Sequence, residues 1–346
     1  MVVVGTGMIA NAHLAALRSH PGAKVRGLVD THPGRGSAAA LANGAVDWTT
    51  DLDEALAWPG CDAVIVCTPN VSHAPIARRA LAAGKHVLME KPLTITVGDA
   101  LELQQGFAEA GLVLAAAHTH RAYDYSRSVK EVIEAGRIGT PQVIRLTILG
   151  GWIWGDWRAW VMDPNRSGGH PLHNGVHLLD TVTWWMGERP TSVYARGQRQ
   201  TQQGIGIDDH LEMTLRFPGG RFAVCEMSRG HRPATTAVRE LSVIGSSGTL
   251  DQPAGADGVA VLSEAGPSAI PPLASDGFAR QLTGWVEAIN GTGAPLADAD
   301  DGVFAVAMGV AATESIRTGR EVALAEVLQA RHDSGVTASN GSEATR

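Results

Sequence analysis

A chain of 346 residues is long enough for two domains, each with its own core. Its net charge of −7 offers no basic field for nucleic acid, and no stretch approaches the roughly 20 consecutive apolar residues of a membrane helix. No charged segment followed by an apolar one opens the chain, so no secretory leader is expected and the protein is read as cytoplasmic.

The first element is an apolar run, Met1–Val4, leading into Gly5-Thr6-Gly7-Met8-Ile9-Ala10. A second run closes on Leu28-Val29-Asp30. Strand, glycine turn, helix and a second strand ending in an acid form the fingerprint of a dinucleotide-binding βαβ unit. Gly5 permits the tight turn, and Gly7 lets backbone N–H groups approach a pyrophosphate. Ala10 is small enough for the helix to lie against the strand. The helix beginning near Met8 and Ile9 turns unpaired N–H groups toward the phosphates. Asp30 is placed to hydrogen-bond both hydroxyls of an adenosine ribose and to repel a 2′-phosphate, which favours NAD over NADP. Arg35, a few residues on, softens that preference.

Short apolar runs then alternate with alanine-rich segments as far as Ala117. Strands are predicted at Val25–Val29, Ala63–Cys67, His86–Met89 and Leu112–Ala116. Helices are predicted at Leu52–Ala57, Ser72–Ala83, with Gly84 just beyond it, and Gly98–Ala110. This grammar predicts a doubly wound parallel sheet over residues 1–117, with ligands beyond the carboxyl ends of its strands. At one such end stands Thr68-Pro69-Asn70-Val71-Ser72-His73, where Thr68, Pro69, Asn70 and His73 are expected to line the nicotinamide-ribose side. At the next stands Glu90-Lys91-Pro92. An exposed lysine, near pKa 10.4, is a poor base, but burial beside a positively charged nicotinamide makes Lys91 competent for proton transfer.

From His118 the pattern changes. A helix (Tyr125–Ala135) ending at Gly136, a strand (Val143–Leu149) and a further helix (about Leu172–Met186) are followed by strands at Leu211–Phe217, Arg221–Met227 and Glu240–Ile244. Phe217-Pro218-Gly219-Gly220 supplies turn chemistry between two of them. A closing helix is expected at Ala305–Arg317, with Gly319 after it. Residues 118–330 thus read as an α+β domain with an antiparallel sheet. Residues 331–346 are polar and aperiodic and read as a disordered tail. Cys61, Cys67 and Cys225 are odd in number and lack metal-ligand spacing, which fits reduced, buried thiols.

Taken in order, GTGMIANAH, CTPNVSH, EKP and GVHLLD resemble the glucose–fructose oxidoreductase/inositol dehydrogenase/MocA family, over roughly Met1 to Leu324. The resemblance implies a second domain with a large open, mainly antiparallel sheet that mediates dimers or tetramers. It also implies reversible oxidation of a hydroxyl on a sugar, polyol or related compound, without a metal. By that resemblance Lys91 contacts the reacting hydroxyl, and His177 lies across the substrate as general acid/base or orienting group. Gly175 and Asp180 match the rest of the helix pattern, and Glu90 helps hold the loop.

One position departs from the family pattern, in which an aspartate stands four residues before the histidine. Here that place holds His173, in Gly169-His170-Pro171-Leu172-His173-Asn174-Gly175-Val176-His177. On a regular helix residues 173 and 177 share a face, so two imidazoles are expected to meet and titrate jointly. Three readings stand for the pair: catalytic or substrate-contacting groups, structural histidines, or metal ligands. His118, His120, Asn174 and Arg166 are further candidates for the substrate side. Trp152 and Trp154, with Arg158, form a candidate aromatic wall for a sugar ring, or else a packing surface. The expected function is NAD-dependent oxidation of a secondary hydroxyl on a sugar, glycoside or cyclitol. The alternatives are a glycosidase that oxidises its substrate transiently and a non-catalytic NAD-binding sensor.

Overall fold

The computed structural model describes residues 1–44, 46–151, 159–199, 205–233, 237–256, 258–271 and 276–329. The expectations for Trp152, Trp154, Arg158 and the tail 331–346 fall outside the described residues.

The first half alternates as its apolar runs require. In chain order it contains β1 (Val2–Val4), α1 (Ala10–Ser19), β2 (Gly27–Val29), α2 (Pro33–Ala42), β3 (Asp47–Thr49) and α3 (Leu52–Leu56). Then come β4 (Ala63–Val66), α4 (His73–Ala82), β5 (His86–Glu90), α5 (Val97–Glu109) and β6 (Leu114–Ala117). The strands form one parallel sheet in the order β3-β2-β1-β4-β5-β6. Strands β1, β4 and β6 are buried along their whole length, as expected of strands covered by helices on both faces. The order reverses between β1 and β4, so the ligand crevice of such a sheet opens there, beyond the strand ends. Three of the chain's turns land at that crevice, after β1, β4 and β5.

The second half comprises α6 (Asp124–Glu134), β7 (Pro141–Leu149), α7 (Pro164–Ser167) and α8 (Val176–Met186). Strands β8 (Ser192–Gln198), β9 (His210–Arg216), β10 (Phe222–Ser228), β11 (Val238–Gly245), β12 (Gly248–Gln252), β13 (Val259–Ser263) and β14 (Gly266–Ile270) follow. Helices α9 (Gly277–Ile289) and α10 (Ala299–Thr318), strand β15 (Val322–Ala323) and helix α11 (Leu324–Gln329) close the described chain. Nine strands form a single sheet, β14-β13-β12-β11-β7-β10-β9-β8-β15. Only β7 and β10 pair in parallel; every other neighbouring pair is antiparallel. The β9–β10 turn runs through Gly219 and Gly220, whose φ of 75° and 83° suits glycine. Along β9, Leu211, Met213 and Leu215 are buried while Glu212 and Arg216 are exposed, the alternation of a sheet covered on one face. Helices α8 and α10 pack against this sheet.

Two features differ from the sequence reading. The helix expected as one piece from about Leu172 opens with a π-helical stretch, Pro171–Gly175, before α8 begins. Helix α9, within the span read as C-terminal domain, packs on α1: its Leu282, Trp285 and Val286 share a buried cluster with Leu14, Leu17, Leu28 and Ile65 of the first domain. Its apolar face therefore completes the cover of the parallel sheet. Cys61, Cys67 and Cys225 are buried free thiols.

Candidate active site

The turn after β1 is shaped by what surrounds it. Gly5 has φ 87°, and a Cβ there would lie 2.8 Å from the Cys67 carbonyl oxygen, so no other residue fits without displacing β4. Nothing lies within 4 Å of the Cβ position at Gly7. Met8 and Ile9 are 80% and 37% exposed at the mouth of α1, whose first turn has no side-chain cap. Open space beside uncapped N–H groups fits a pyrophosphate. At the end of β2 the Asp30 carboxylate accepts from Thr6 N (3.0 Å), Thr6 Oγ1 (2.6 Å), His32 N (2.8 Å) and Arg35 Nη2 (2.9 Å). Burial works to raise its pKa, but Arg35, Thr6 and the backbone donors outweigh it and hold the carboxyl far below its ordinary range. The ion pair puts Arg35 directly beside the acid.

Between β4 and α4 the residues divide by role. Thr68 Oγ1 accepts from Ser72 Oγ at 2.9 Å, and Pro69 O accepts from the same hydroxyl at 2.6 Å, which closes the turn. Asn70 Nδ2 donates to Ser167 O at 2.7 Å and lies 3.3 Å from His173 Nδ1, tying this turn to the second domain. His73 corrects the expectation that it meets the cofactor. Its ring is wholly buried, with Nδ1 2.8 Å from Pro92 O and Nε2 3.0 Å from Thr68 O. It braces the turn after β4 against the turn after β5.

That second turn carries Glu90 and Lys91. Buried Glu90 takes His13 Nε2 at 2.8 Å on one oxygen and the Lys91 backbone N–H at 3.1 Å on the other. Burial pushes its carboxyl up, yet His13 and the Lys91 charge together bring it below its usual value. Lys91 Nζ donates to His173 O at 2.6 Å. Burial pushes its ammonium down to about 8, against the pull of Glu90 and with added repulsion from Arg229.

Histidines from two segments of the second domain gather near that amine. His120 and His177 stack, with ring centroids 4.3 Å apart and planes 25° apart, and His120 Nδ1 lies 2.8 Å from Tyr125 Oη. Burial, with the charges of the neighbouring histidines and Lys91, holds His177 well below the ordinary histidine value; burial and Lys91 hold His120 at about 3. Both rings are neutral at pH 7. Among the described residues, His177 Nδ1 is buried with no hydrogen-bond partner, as are both ring nitrogens of His118. His173 looks elsewhere, edge-on to Trp160 at 5.2 Å and toward Asn70. The expected pairing of His173 with His177 is thereby corrected: the wider π-helical turn breaks the α-helical spacing on which it rested, and the partner of His177 is His120. Asn174 is buried with Nδ2 unsatisfied, whereas Arg166 lies exposed on α7, its guanidinium in no hydrogen bond or ion pair among the described residues.

Comparison with known proteins is decisive for the family. Residues 1–118 match the model of an oxidoreductase family with an NAD-binding Rossmann fold, and residues 126–251 match the GFO/IDH/MocA C-terminal domain. The chain is 30% identical over 325 residues to 1,5-anhydro-D-fructose reductase of Ensifer adhaerens, covering 92% of this chain and 96% of that one. The chain belongs to the glucose–fructose oxidoreductase/inositol dehydrogenase/MocA family. It is likewise 27% identical over 337 residues to myo-inositol 2-dehydrogenase of Thermotoga maritima, covering 94% and 98% of the two chains. Among solved structures, GenD2 from gentamicin A biosynthesis, in complex with NAD, superposes with a TM-score of 0.81 at 26% identity, covering 93% of this chain and 95% of that one. The N-terminal domain is thus an NAD-binding Rossmann domain, and the protein is an oxidoreductase.

Against that family frame, two residues stand out that the sequence pattern did not mark. Arg121 is 4% exposed and forks onto Asp180 with bonds of 2.9 and 2.6 Å, while its Nη1 reaches Asp301 at 2.7 Å and Leu296 O at 2.9 Å. Asp180 is therefore held in an ion network that joins the turn after β6 to α8 and α10. Arg229 follows β10 directly and has its Nε buried with no hydrogen-bond partner among the described residues. The one sequence signal for either residue is a cation set at the end of an apolar strand.

Proposed function

We propose that this protein oxidises a secondary hydroxyl of a sugar, glycoside or cyclitol. The observation that carries the reading is Lys91: a half-buried amine brought to about 8, at a strand end beside the dinucleotide crevice and among neutral imidazoles. The names of the two curated relatives, a reductase of an anhydro sugar and an inositol dehydrogenase, support the substrate class.

Gly5, Gly7 and the N–H groups of Met8 and Ile9 would hold the pyrophosphate of NAD, Asp30 the adenosine ribose, and Thr68 and Pro69 the nicotinamide ribose. NAD when bound supplies the hydride acceptor. The chain itself manages the proton. Lys91 as free amine keeps one N–H on His173 O and offers its lone pair to the substrate O–H. As that proton moves to Nζ, the carbinol C–H leaves with its electron pair and the C–O bond becomes a carbonyl. His177, neutral and with Nδ1 unpartnered, is free to hold the same oxygen, and stacking on His120 fixes the plane of its ring.

The sign of the pH dependence follows. Below about 8 the Lys91 ammonium cannot accept a proton; at pH 7 only about a tenth is free amine. In the oxidation direction kcat/KM therefore rises with pH and levels off above an apparent pKa of about 8. NADH absorbance followed over a panel of polyols and glycosides tests both points. Stoichiometric NADH with a ketone product is expected. Aglycone release without net NADH, or a profile flat from pH 6.5 to 9, would overturn the reading.

For assembly, we read the uncovered face of the nine-stranded sheet as the seat of a second copy. Its half-buried Phe222 and Val224 on β10 and Val143 and Thr147 on β7 support this. Light scattering should give the mass of two or four chains; a monomer at micromolar concentration would contradict it.

A further inference from the structure

Tyr125, in the first turn of α6, is held on two sides. It is 4% exposed, with the Arg239 guanidinium over its ring at 4.3 Å from the centroid and Trp185 edge-on at 6.3 Å and 88°. Trp185 is itself wholly buried and tied by its indole N–H to Ser126 O at 3.0 Å. The Tyr125 hydroxyl ends 2.8 Å from His120 Nδ1, its one partner among the described residues. His120 stands half-buried in the turn after β6, its ring stacked on His177 at 4.3 Å. Its Nε2 makes no hydrogen bond among the described residues.

One arrangement of protons satisfies these atoms. A tyrosine hydroxyl is protonated at neutral pH, and burial raises the Tyr125 pKa further. A buried O–H needs an acceptor, and the one within reach is His120 Nδ1. The reverse bond, from an Nδ1–H to Oη, leaves the hydroxyl proton buried with nothing to receive it. A neutral imidazole carries one N–H, so accepting at Nδ1 fixes the proton on Nε2. We propose that Tyr125 is a positioning residue: its hydroxyl keeps His120 as the Nε2–H tautomer, which presents a hydrogen-bond donor to a substrate oxygen beside the one His177 holds. His120 then binds and orients while Lys91 alone takes the proton. The substrate contact rests on the alcohol oxidation at Lys91 proposed above; the place of the His120 proton does not.

The test is magic-angle-spinning 15N NMR of the protein labelled with 15N-histidine, His120 being assigned by its absence in His120→Gln. Wild type at neutral pH should show Nε2 protonated and Nδ1 bare. Tyr125→Phe keeps the ring between Arg239 and Trp185 and should give a mixture of both tautomers. A wild-type His120 protonated at Nδ1 or at both nitrogens would overturn the proposal, as would a Tyr125→Phe spectrum identical to wild type. NADH formation is read separately, over a panel that includes myo-inositol, D-glucose and methyl β-D-glucopyranoside. With the best substrate Tyr125→Phe should raise KM about fivefold, the worth of one neutral hydrogen bond, and leave kcat within about twofold. An unchanged KM would overturn the positioning role. No NADH from any member, with Nε2 protonated, defeats the dehydrogenase reading and the substrate contact with it, while the tautomer set by Tyr125 stands; ready NADH formation with the proton on Nδ1 does the reverse.

Discussion

Replacing Lys91 by Met lowers kcat by about 10³-fold or more and changes NAD affinity by less than about fivefold. The first figure follows from removing the base, since a positioned general base contributes about 10²–10⁴-fold. The second follows from separation: the pyrophosphate cradle and Asp30 stand at the ends of β1 and β2, while Lys91 stands at the end of β5. The fold should persist, because the variant loses one bond to His173 O and also removes a half-buried charge. Stopped-flow absorbance and cofactor fluorescence titration check the two halves. A sensor needs no amine there, and unchanged function in the variant would favour that alternative. The histidines should separate in the same assay. His177→Ala is expected to cost about 10² in kcat. His173→Ala is expected to cost under about tenfold, since Lys91 is met by the backbone carbonyl of residue 173 and not by its ring.

Arg121→Met should be the most destabilising single substitution near the crevice. The side chain is buried and shared between Asp180, 2% exposed, and Asp301. Removing it leaves Asp180 with only His118 Nδ1 at 3.8 Å, an imidazole whose pKa burial lowers, and leaves Asp301 to Arg189. Breaking a buried ion pair on one side costs about 3–5 kcal/mol, mostly the penalty on the orphaned charge rather than the net worth of the pair. For a chain of this size the melting temperature should fall by roughly 10 °C. Two controls isolate the cause. Adding Asp180→Leu to Arg121→Met should recover a large part of the loss. Adding the near-isosteric Asp180→Asn instead should likewise recover part of the loss, because it too removes the orphaned charge. Recovery in neither case would mean that packing, not charge, sets the cost.

The Rossmann half was legible because each of its signals is local. The Gly5–Ala10 turn, Asp30 and the apolar runs that became β4, β5 and β6 are contiguous in sequence and have one physical solution. Elements with weaker signals were not read: β3 is three residues with Asp47 and Trp48 exposed, and α2 carries Gly34 and Gly36, which lower its propensity. The second sheet was legible in kind but not in extent, since β12, β13 and β14 have five residues each with few of them buried, and β8 ends in Arg196-Gly197-Gln198, none of them buried. In the crevice, Lys91 and His177 were found through their motifs. The partner of His177 was not, because the His-x-x-x-His spacing assumes a regular helix and the chain makes a π-helical turn at that place. His120 reaches His177 from another element, and Arg121 acts through contacts distant in sequence.

The most direct measurement is a crystal structure of the protein with NADH and an oxidisable sugar, glycoside or cyclitol bound. One hydroxyl oxygen should lie about 2.6–3.2 Å from both Lys91 Nζ and the His177 imidazole, with its carbon facing the nicotinamide. A substrate whose hydroxyls reach neither group, or reach them in separate compartments, would contradict the chemistry assigned to this crevice.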